Sequence, residues 1–339
     1  MQYRKLGNTG PEVSALGFGG WPMGGARYGS IDNDLATAAI GRALDLGVTL
    51  FDTAVAYGLG TSESLMGNAL QGHWDDIVVV TKTGVVPQPD NPDAFYRDSR
   101  PETIKSQCEF SLKALGTDFI DVYLIHWPDF DTPRDETMRA MEDLKAEGKI
   151  GHVGVSNYST SLMDEALAVS PIVANQVGYH MLDRRHADEI IPYCAANGIG
   201  VMAYGSLAHG VLTGAFKPDH QFEEGDWRGT GIAFGLPLFH PDYLPETLEA
   251  VDEVTAAAEQ VGLATPQLAL RWVLDEPAIS TALVGFRTPA EVDAAVAALE
   301  ADLPDGLMTG PDQATFEAYQ RLLAGGSPTT TAEGPGRRT

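Results

Sequence analysis

The stretch Thr49-Leu50-Phe51-Asp52-Thr53-Ala54-Val55-Ala56-Tyr57-Gly58 begins as a short apolar strand, reaches a carboxylate at Asp52 and meets a tyrosine at Tyr57. Because β-branched and aromatic residues favour the extended conformation, Asp52 is expected at the carboxyl end of a strand. In α/β folds that end is where active sites are built. The stretch therefore predicts a strand of an α/β fold, and Asp52 and Tyr57 are the first candidates for chemistry.

The same succession of a short apolar run and a helical stretch occurs eight times along the chain. The predicted strands are residues 16–19, 49–52, 77–81, 120–126, 152–156, 173–176, 200–204 and 281–284. The predicted helices are residues 33–46, 61–71, 101–115, 134–147, 160–168, 186–197, 245–262 and 289–300. Alternating units of this kind imply parallel strands covered by helices. Eight of them predict a closed (β/α)8 TIM barrel.

Three segments lie outside the eight units. Residues 3–14 are strand-like on both sides of the turn at residues 7–10, and they predict an N-terminal β-hairpin that caps the bottom of the barrel. The segment 216–245 exceeds an ordinary loop, and its aromatic residues predict a packed lid on the carboxyl-terminal face. We predict a single domain over residues 1–325 and a disordered C-terminal tail over residues 326–339, which have little to bury.

Composition narrows the class of protein. A chain of 339 residues is an ordinary length for one α/β barrel. It contains no apolar run of membrane-spanning length, and its first residues lack a signal-peptide pattern, so we predict a cytoplasmic protein. Cys108 and Cys194 lack the spacing of metal ligands and are interpreted as small buried hydrophobes. Neither a metal nor a disulfide is predicted.

The chain is strongly acidic. It has 47 acidic and 22 basic residues, which give a formal net charge of -25. Electrostatic repulsion disfavours nucleic acids and anionic membranes as partners. Two interpretations of the charge remain open: adaptation to a salty cytoplasm, or an acidic protein of an ordinary host. The sequence leaves the oligomeric state open as well.

Four polar residues are predicted to converge at one end of the barrel. Lys82 follows the strand at residues 77–81, and His126 ends the strand at residues 120–126, so both are expected beside Asp52 and Tyr57. A buried lysine needs a partner, and Asp52 is the obvious one. The lysine is expected to lower the pKa of Tyr57 and so to produce a tuned proton donor. Taken singly, the residues also suit a structural ion pair, a core histidine and a loop tyrosine; their shared position favours chemistry.

The pattern resembles the signature of the aldo-keto reductase superfamily. The matching residues are Phe51-Asp52-Thr53-Ala54 with Tyr57-Gly58, then Lys82, then His126-Trp127-Pro128. Further matching pieces include Leu16-Gly17-Phe18-Gly19-Gly20-Trp21, Gly154-Val155-Ser156-Asn157-Tyr158, Asn175-Gln176-Val177 and Leu212-Thr213-Gly214. The resemblance extends over residues 3–323, nearly the whole chain.

The resemblance implies a mechanism. A hydride from a nicotinamide would go to a carbonyl carbon while Tyr57 protonates the oxygen. Lys82 and Asp52 would tune the phenol, and His126 would orient the carbonyl. The resemblance also implies an extended cofactor across the barrel mouth, which agrees with the lack of a GxGxxG motif in the chain.

Cofactor contacts follow from the same resemblance. Ser156, Asn157 and Gln176 would hold the nicotinamide carboxamide, and Tyr204 would stack on its ring. The full set of implied cofactor-binding residues is Gly20, Trp21, Asp52, Ser156, Asn157, Gln176, Tyr204, Gly205, Ser206, Leu207, Gly210, Gly285, Phe286, Arg287 and Glu291.

The last βα unit bears on the choice between NADPH and NADH. A strand that leads through Gly285 into a helix start suits an anion, and Arg287 offers the forked donor that a 2′-phosphate requires. NADPH is therefore expected, with NADH as the alternative. Three departures from the family pattern weaken this expectation: Phe286 replaces a small residue, Ala295 stands where an adenine-contacting Asn is common, and Gly205-Ser206 replaces Ser-Pro.

Aromatic residues are expected to line the substrate pocket, namely Trp21, Tyr57, His126, Trp127 and Trp227. Such a pocket suits an aldehyde, a ketone or a sugar. The sequence thus predicts an NAD(P)H-dependent oxidoreductase that reduces a small-molecule carbonyl. The alternative is a redox-sensing or regulatory subunit of the same fold with negligible turnover. A weaker alternative is a Schiff-base lyase that uses Lys82.

Overall fold

Eight parallel strands close into a barrel in the computed structural model, which describes residues 1–25, 28, 31–88 and 91–326. In chain order the strands are β1 (Tyr3–Lys5), β2 (Glu12–Ser14), β3 (Leu16–Gly19), β4 (Leu50–Asp52), β5 (Val78–Thr83), β6 (Val85–Gln88), β7 (Asn91–Arg97), β8 (Ile120–Ile125), β9 (Ile150–Ser156), β10 (Ala174–Gly178), β11 (Gly200–Tyr204) and β12 (Ile279–Val284). The barrel order is β3, β4, β5, β8, β9, β10, β11 and β12, and β12 returns to pair with β3. The predicted (β/α)8 barrel is confirmed.

Side chains along each barrel strand point alternately to the inside and the outside of the barrel. Both sides are buried, which explains why the strands are apolar throughout. Leu50, Val78 and Val80 pack with one another inside the barrel. Their neighbours Phe51 and Val79 belong to the outer core, between the strands and the helices. Successive side chains of a strand point to opposite faces, so a strand that is buried on both faces needs an apolar residue at nearly every position.

The predicted N-terminal hairpin is present and closes the bottom of the barrel. β1 and β2 pair antiparallel, and Leu6 between them is fully buried among the residues inside the barrel. Asn8 N donates to Gly198 O at 2.7 Å. Gly7 has φ +65°, and a Cβ there would lie 2.6 Å from the carbonyl oxygens of Gly198 and Val173, so this close approach requires glycine.

The helices cover the barrel and add a layer beyond it. They are α1 (Asn33–Asp45), α2 (Thr61–Ala69), α3 (Pro101–Leu115), α4 (Arg134–Ala146), α5 (Thr160–Leu167), α6 (Ile190–Ala196), α7 (Leu244–Gln260), α8 (Thr265–Leu274), α9 (Pro289–Ala298) and α10 (Thr309–Gly325). Their starts follow the expected chemistry: Asp32 caps α1 by accepting from two backbone N–H groups, and Pro101 occupies the first turn of α3.

The covering helix of the seventh unit is not the one predicted. The expected helix at residues 245–262 is α7, but α7 packs mainly against α10 and the long loop in a separate apolar cluster. The helix that packs on β12 and α9 is α8, which the sequence analysis did not assign. Leu270, Val273 and Leu274 of α8 join the main core. The signal was present in Pro266 and Gln267, which suit the first turn of a helix.

A second hairpin, also not predicted, follows β5 on the carboxyl-terminal side of the barrel. β6 and β7 pair antiparallel, from Val85 opposite Arg97 to Gln88 opposite Asn91. Its sequence signal is a pair of β-branched or aromatic runs on either side of a segment rich in Pro, Asp and Asn. Pro87 within the first run weakened that signal.

The long loop between β11 and α7 is packed by its aromatic residues, as predicted. Phe222 and Phe239 lie in edge contact with ring centroids 5.3 Å apart, and Phe216 and Trp227 both approach Phe239. Of the predicted tail, residues 327–339 lie outside the described residues, so the single domain with its tail stays a prediction.

Cys108 and Cys194 are buried and free, and burial raises the pKa of each thiol to about 12. Over the described ranges of the chain, no helix has the length and apolar character needed to cross a membrane.

Candidate active site

A cleft of about 980 Å³ opens at the carboxyl ends of the barrel strands. Asp52, Tyr57 and His126 line its centre, and Arg287 and Glu291 line its far end beside α9. The cleft therefore connects the centre of the barrel mouth with the amino-terminal end of a helix, where anions bind. A cleft with these two ends suits an extended ligand with a charged group at one end.

Lys82 links two of the other predicted catalytic residues, Asp52 and Tyr57, through hydrogen bonds. Its side chain is fully buried, and Nζ donates to Asp52 Oδ2 at 2.8 Å, to Thr53 O at 2.8 Å and to Tyr57 Oη at 3.2 Å. The other carboxylate oxygen of Asp52 accepts from Gln176 Nε2 at 2.8 Å. The side chains come from three barrel strands, β4, β5 and β10, and from the loop after β4, which shows how the strand ends bring distant residues together.

Burial dominates the electrostatics of these groups. It raises the pKa of Asp52 and lowers that of Lys82, while the attraction between the two opposes both shifts. Burial also raises the pKa of Tyr57 well above its ordinary value, and the Asp52 carboxylate raises it further. The expected lowering of the Tyr57 pKa by Lys82 is therefore absent here. The main reason is burial of the phenol, and Asp52 adds to it because its carboxylate lies 2.8 Å from the Lys82 ammonium and offsets that charge.

His126 stands directly after β8 with its ring edge-on to Tyr57, at a centroid distance of 5.7 Å and an angle of 83°. Burial first, and then the charges of Lys82 and Arg97, hold the pKa of His126 well below its usual range. The imidazole is therefore neutral at neutral pH, and one of its nitrogens carries a proton. Within the described part of the chain, Nδ1 is buried without a hydrogen-bond partner.

The residues expected to hold a carboxamide form a connected polar group beside Asp52. Ser156 Oγ donates to Gln176 O at 2.8 Å, and Asn157 Nδ2 donates to Ser156 Oγ at 3.0 Å. Tyr204 Oη donates to Asn157 Oδ1 at 2.9 Å. Asn157 has φ +60°, a conformation that asparagine tolerates better than most residues. The structure thus brings these four predicted residues together at one side of the cleft.

The loop after β11 and the start of α9 form the rest of the predicted cofactor groove. Gly205, Ser206, Leu207 and Gly210 all line the cleft. At the far end, Glu291 accepts from the backbone N of Arg287 at 2.7 Å and from its Nη2 at 3.2 Å, and about half of the Arg287 side chain is exposed.

Two predicted cofactor residues lie differently from the others. Gly20 is set back from the cleft: its N donates to Asp52 O at 2.7 Å, and a Cβ there would meet Ser62 Oγ at 2.6 Å. Phe286 borders the cleft, but only 1% of it is exposed because its ring packs against Phe18 in the core. Neither residue presents a free side chain to the cleft.

The predicted substrate-pocket residues Trp21, Tyr57, His126, Trp127 and Trp227 all line the cleft. Trp21 stacks on Trp227 with centroids 5.3 Å apart and planes at 18°. Trp21 also lies 6.2 Å from Tyr57, nearly parallel to it. The wall next to the reactive centre is therefore aromatic and flat, which suits small planar or apolar groups.

Phe234 reaches into this wall from a tight turn. It has φ +45° and is followed by Gly235, and Ala233 and Leu236 exchange backbone hydrogen bonds around them. The ring of Phe234 lies 5.3 Å from Tyr204 and 6.4 Å from Trp127.

An ion pair anchors that turn. Arg185 donates from Nη1 to the carbonyl oxygen of Phe234 at 2.8 Å, and Asp183 binds the same guanidinium through both carboxylate oxygens. The ion pair of Arg185 with Asp183 therefore holds the turn that places the Phe234 ring beside Tyr204.

Sequence reasoning did not identify several residues of the cleft, among them Tyr28, Phe95, Tyr96, Arg97 and His209. His209 is buried at φ +54° between Trp227 and Phe234, and burial lowers its pKa to about 3. Nothing local in the sequence marks His209. The residues of β7 would have been found if the second hairpin had been assigned.

Comparisons with known proteins point to one family over most of the chain. The model of the Aldo/keto reductase family matches residues 15–313. The protein named Aldo-keto reductase YhdN from Bacillus subtilis (strain 168) is 37% identical over 297 residues, which cover 87% of each protein. The NADH-specific methylglyoxal reductase of Escherichia coli (strain K12) is 32% identical over 318 residues, covering 90% of this chain and 95% of that protein.

A solved structure agrees with the sequence comparisons. The glycerol dehydrogenase AKR11B4 from Gluconobacter oxydans superimposes with a TM-score of 0.82 at 32% identity, and the match covers 99% of both chains.

Proposed function

The chain belongs to the Aldo/keto reductase family, and from that premise we propose that it reduces an aldehyde, ketone or sugar carbonyl with NADPH, using Tyr57 as the general acid. The family places the chain among oxidoreductases that use nicotinamide cofactors on small-molecule carbonyls. The observation that carries the finer proposal is the contact of Lys82 Nζ with both Asp52 and Tyr57 inside the cleft.

The residues of the cleft fit a nicotinamide cofactor. The cleft is continuous from Asp52 to the start of α9, and Ser156, Asn157 and Gln176 offer amide and hydroxyl groups at its inner end. Ser156 donates to the backbone oxygen of Gln176, Asn157 donates to Ser156 Oγ, and Gln176 Nε2 donates to Asp52; a carboxamide would replace some of these hydrogen bonds. When bound, the cofactor supplies the hydride.

Tyr57 would hold the proton that the carbonyl oxygen takes up. Its raised pKa keeps the phenol protonated at neutral pH, which is the form that a proton donor needs. As the proton leaves, Lys82 stabilises the developing phenolate through the hydrogen bond to Tyr57 Oη. Neutral His126 would donate a hydrogen bond to the same carbonyl oxygen and so orient it.

The choice of NADPH rests on Arg287 and is opposed by Glu291. Arg287 offers the forked donor for a 2′-phosphate, but Glu291 already accepts from it and would repel that phosphate. One relative is named as NADH-specific. The two cofactors should therefore be compared in the same assay, with Arg287→Met expected to weaken NADPH more than NADH.

The substrate is proposed as a class. The aromatic wall of Trp21, Trp127 and Trp227 suits a small aldehyde or ketone, and relatives named for methylglyoxal and glycerol make small oxygenated compounds the first to test.

A first assay tests the proposal directly. We expect reduction of 4-nitrobenzaldehyde by NADPH, and a loss of about 10²- to 10⁴-fold in kcat for Tyr57→Phe, the size typical of a lost proton donor. The phenylalanine ring retains the contacts with Trp21 and His126, so cofactor binding measured by NADPH fluorescence should persist. A Tyr57→Phe enzyme as fast as the wild type would remove Tyr57 from the mechanism.

The same assay separates the alternatives. Cofactor binding with negligible turnover across aldehydes, ketones and sugars would favour a redox-sensing or regulatory subunit. A Schiff-base lyase is disfavoured because Lys82 is fully buried and makes three hydrogen bonds. Borohydride trapping with an adduct on Lys82 would reverse that judgement.

A further inference from the structure

A ring of aromatic side chains surrounds the substrate end of the cleft, and His209 belongs to it. Measured between ring centroids, Trp21 lies 6.2 Å from Tyr57, and His209 lies 6.1 Å from Trp21. The ring continues from His209 to Phe234 at 5.2 Å. All four residues line the cleft. His209 is therefore a polar side chain between two apolar ones.

The ring closes on the side of the reactive centre. Phe234 lies 6.4 Å from Trp127, and His126, the residue before Trp127, lies 5.7 Å from Tyr57. Tyr57 and His126 are thus neighbours on one side, while apolar rings separate His209 from them in both directions. A substrate with its carbonyl at Tyr57 and His126 therefore directs its remote end towards His209.

The imidazole of His209 has unused hydrogen-bonding capacity. Among the described residues, Arg228 Nη1 donates to its main-chain oxygen at 3.3 Å, but none is a hydrogen-bond partner of either ring nitrogen. The Trp227 ring lies 5.3 Å away, but its buried Nε1 also lacks a partner and so does not serve the imidazole. Only 7% of His209 is exposed. Buried polar groups are normally hydrogen-bonded, so open ring nitrogens at a cleft indicate a contact with a ligand.

The charge state of His209 defines the chemistry of that ligand. Burial first, and then His180 and Arg228, lower the pKa of His209 to about 3, although Asp183 opposes the shift. The imidazole is therefore neutral at neutral pH, with one nitrogen that donates and one that accepts. A hydroxyl group also donates and accepts, so it is the complementary partner. A carboxylate or an ammonium group finds no opposite charge on this ring.

Gly205 makes room for the imidazole. It has φ +67°, and a Cβ there would lie 2.8 Å from His209 Cε1 and 3.0 Å from Nε2. A side chain at position 205 would therefore push the ring out of its place. The glycine that departs from the family pattern at position 205 and the histidine at position 209 thus belong together in this chain.

We propose that His209 is a specificity-determining residue that hydrogen-bonds a hydroxyl group of the carbonyl substrate, at the end remote from the carbonyl. The proposal rests on the reductase function proposed above, and it narrows the substrate class to hydroxylated aldehydes and ketones. His209 also belongs to the loop expected to hold the cofactor, so a cofactor hydroxyl is the other source of the same chemistry. The aromatic rings of the substrate wall around the imidazole favour the substrate.

A pair of matched aldehydes tests this selectivity. 4-(Hydroxymethyl)benzaldehyde and 4-ethylbenzaldehyde have nearly the same shape, and a hydroxyl group in the first replaces a methyl group in the second. The quantity to compare between enzymes is the ratio of their kcat/KM values. We expect His209→Phe to lower that ratio about 3- to 10-fold, as for a lost hydrogen bond between neutral groups. His209→Gln should retain part of it, because its amide also donates and accepts.

Two further variants secure the comparison. His209→Ala removes the imidazole with a residue that this loop accepts at positive φ, since the preceding Ala208 has φ +48°, and it should lower the ratio as His209→Phe does. His152 lies in β9, is partly buried and is not among the residues that line the cleft. His152→Phe should leave the ratio near the wild-type value. Circular dichroism confirms that the variants are folded.

A binding measurement provides a readout that does not depend on turnover. The unreactive amides 4-(hydroxymethyl)benzamide and 4-ethylbenzamide can be titrated by calorimetry into the enzyme saturated with NADP⁺. The hydroxymethyl compound should bind more tightly to the wild type than to His209→Phe or His209→Ala, while the ethyl compound should distinguish these proteins much less. The NADPH dissociation constant of each variant, measured by fluorescence, reports on the cofactor.

The outcomes distinguish this proposal from the general function. Equal ratios and equal affinities for the hydroxymethyl amide in the wild type and both loss variants would overturn the hydroxyl site, even with 4-nitrobenzaldehyde reduced as proposed. A weaker NADPH affinity with an unchanged ratio would overturn it as well and assign the imidazole to the cofactor. Binding of the hydroxymethyl amide that depends on His209 in a protein that reduces no aldehyde would support the hydroxyl site and contradict the reductase function.

Discussion

Lys82 and Asp52 present the Tyr57 phenol with two opposite charges at close range. Seen from the phenol, the ammonium and the carboxylate largely cancel, and burial then sets the direction of the pKa shift. The phenol of Tyr57, the proposed proton donor, is consequently protonated at neutral pH. Asp52 contributes by raising the pKa of Tyr57 and by holding Lys82 in place.

Replacing Asp52 by Asn should move the basic limb of the pH profile for reduction to lower pH. The Asp52 carboxylate raises the pKa values of both Tyr57 and Lys82, so its removal lowers both, and each group then loses its proton at lower pH. Rates of carbonyl reduction between pH 6 and pH 10 at saturating NADPH measure the shift.

The cofactor affinity of Asp52→Asn decides between two roles for the carboxylate. If the basic limb of the pH profile shifts strongly while the NADPH dissociation constant changes little, Asp52 acts mainly by tuning the pKa of Tyr57. An unmoved limb combined with a large loss of cofactor affinity would contradict it and make Asp52 chiefly a cofactor ligand.

The convergence of the four catalytic candidates was predictable because it depends only on strand ends in a parallel barrel. Their placement by the structure follows that prediction, while their roles stay predictions. The direction of the Tyr57 pKa shift was not predictable, since it depends first on how deeply the phenol is buried and then on how closely Asp52 compensates Lys82. His209 escaped for another reason: it stands at positive φ in a loop whose path no periodic pattern reveals.

At the scale of elements, the N-terminal hairpin acts as the floor of the barrel. Leu6 is fully buried at the bottom of the barrel interior, in one cluster with Leu50 and Val78. Arg4 ties the hairpin to the far end of the chain by donating to the carbonyl oxygens of Leu274 and Ile279 at 2.9 and 2.7 Å. The floor therefore depends on the buried side chains of Leu6 and Val13, on the guanidinium of Arg4 and on the backbone contacts around them.

Leu6→Ala should lower the free energy of unfolding by about 2–5 kcal/mol, since it leaves a cavity among residues that cannot collapse into it. Urea denaturation followed by tryptophan fluorescence measures the change. The matched control is Leu35→Ala, because Leu35 is 46% exposed on α1 and should cost little. Equal losses for the two variants would mean that the hairpin does not seal the barrel.

The elements that the sequence analysis did not assign were overlooked for the same reason. Two helices, α7 and α8, lie between β11 and β12, and the hairpin β6–β7 follows β5, so a strict alternation of one strand and one helix passed over α8 and the hairpin. The alternation assigned the seventh covering position to α7, although α7 buries its apolar face against α10. Periodicity shows that a segment is a helix, but which surface the helix covers is decided by the tertiary packing.

At the scale of the whole molecule, charge is the distinctive property. The net charge of -25 is the acidic excess that remains after every basic residue is counted, so ion pairs cannot remove it, and pairs such as Arg42 with Asp293 and Lys105 with Asp143 are substantially exposed. Exposed pairs contribute little to stability. The remaining acidic groups repel one another and oppose the compact state.

Potassium chloride should therefore stabilise the protein. Screening shortens the Debye length from about 10 Å at 0.1 M to about 3 Å at 1 M, so the unfolding midpoint should rise over that range. A sorbitol series of matched osmolality separates screening from osmotic effects. A midpoint that stays constant or falls with added salt would remove the interpretation of a salt-adapted protein.

Because β12 pairs with β3, the barrel can close only after nearly all of the chain has been synthesised. Ala282 to Val284 pair with Leu16 to Phe18, so one edge of the first barrel strand has no partner until the ribosome has made almost the entire barrel. Contacts of such large sequence separation form late and slowly, and an open strand edge is prone to wrong pairing while it waits. The nascent protein is therefore most exposed to aggregation during translation, and shielding by a chaperone matters more for this chain while it is being made than after the barrel has closed.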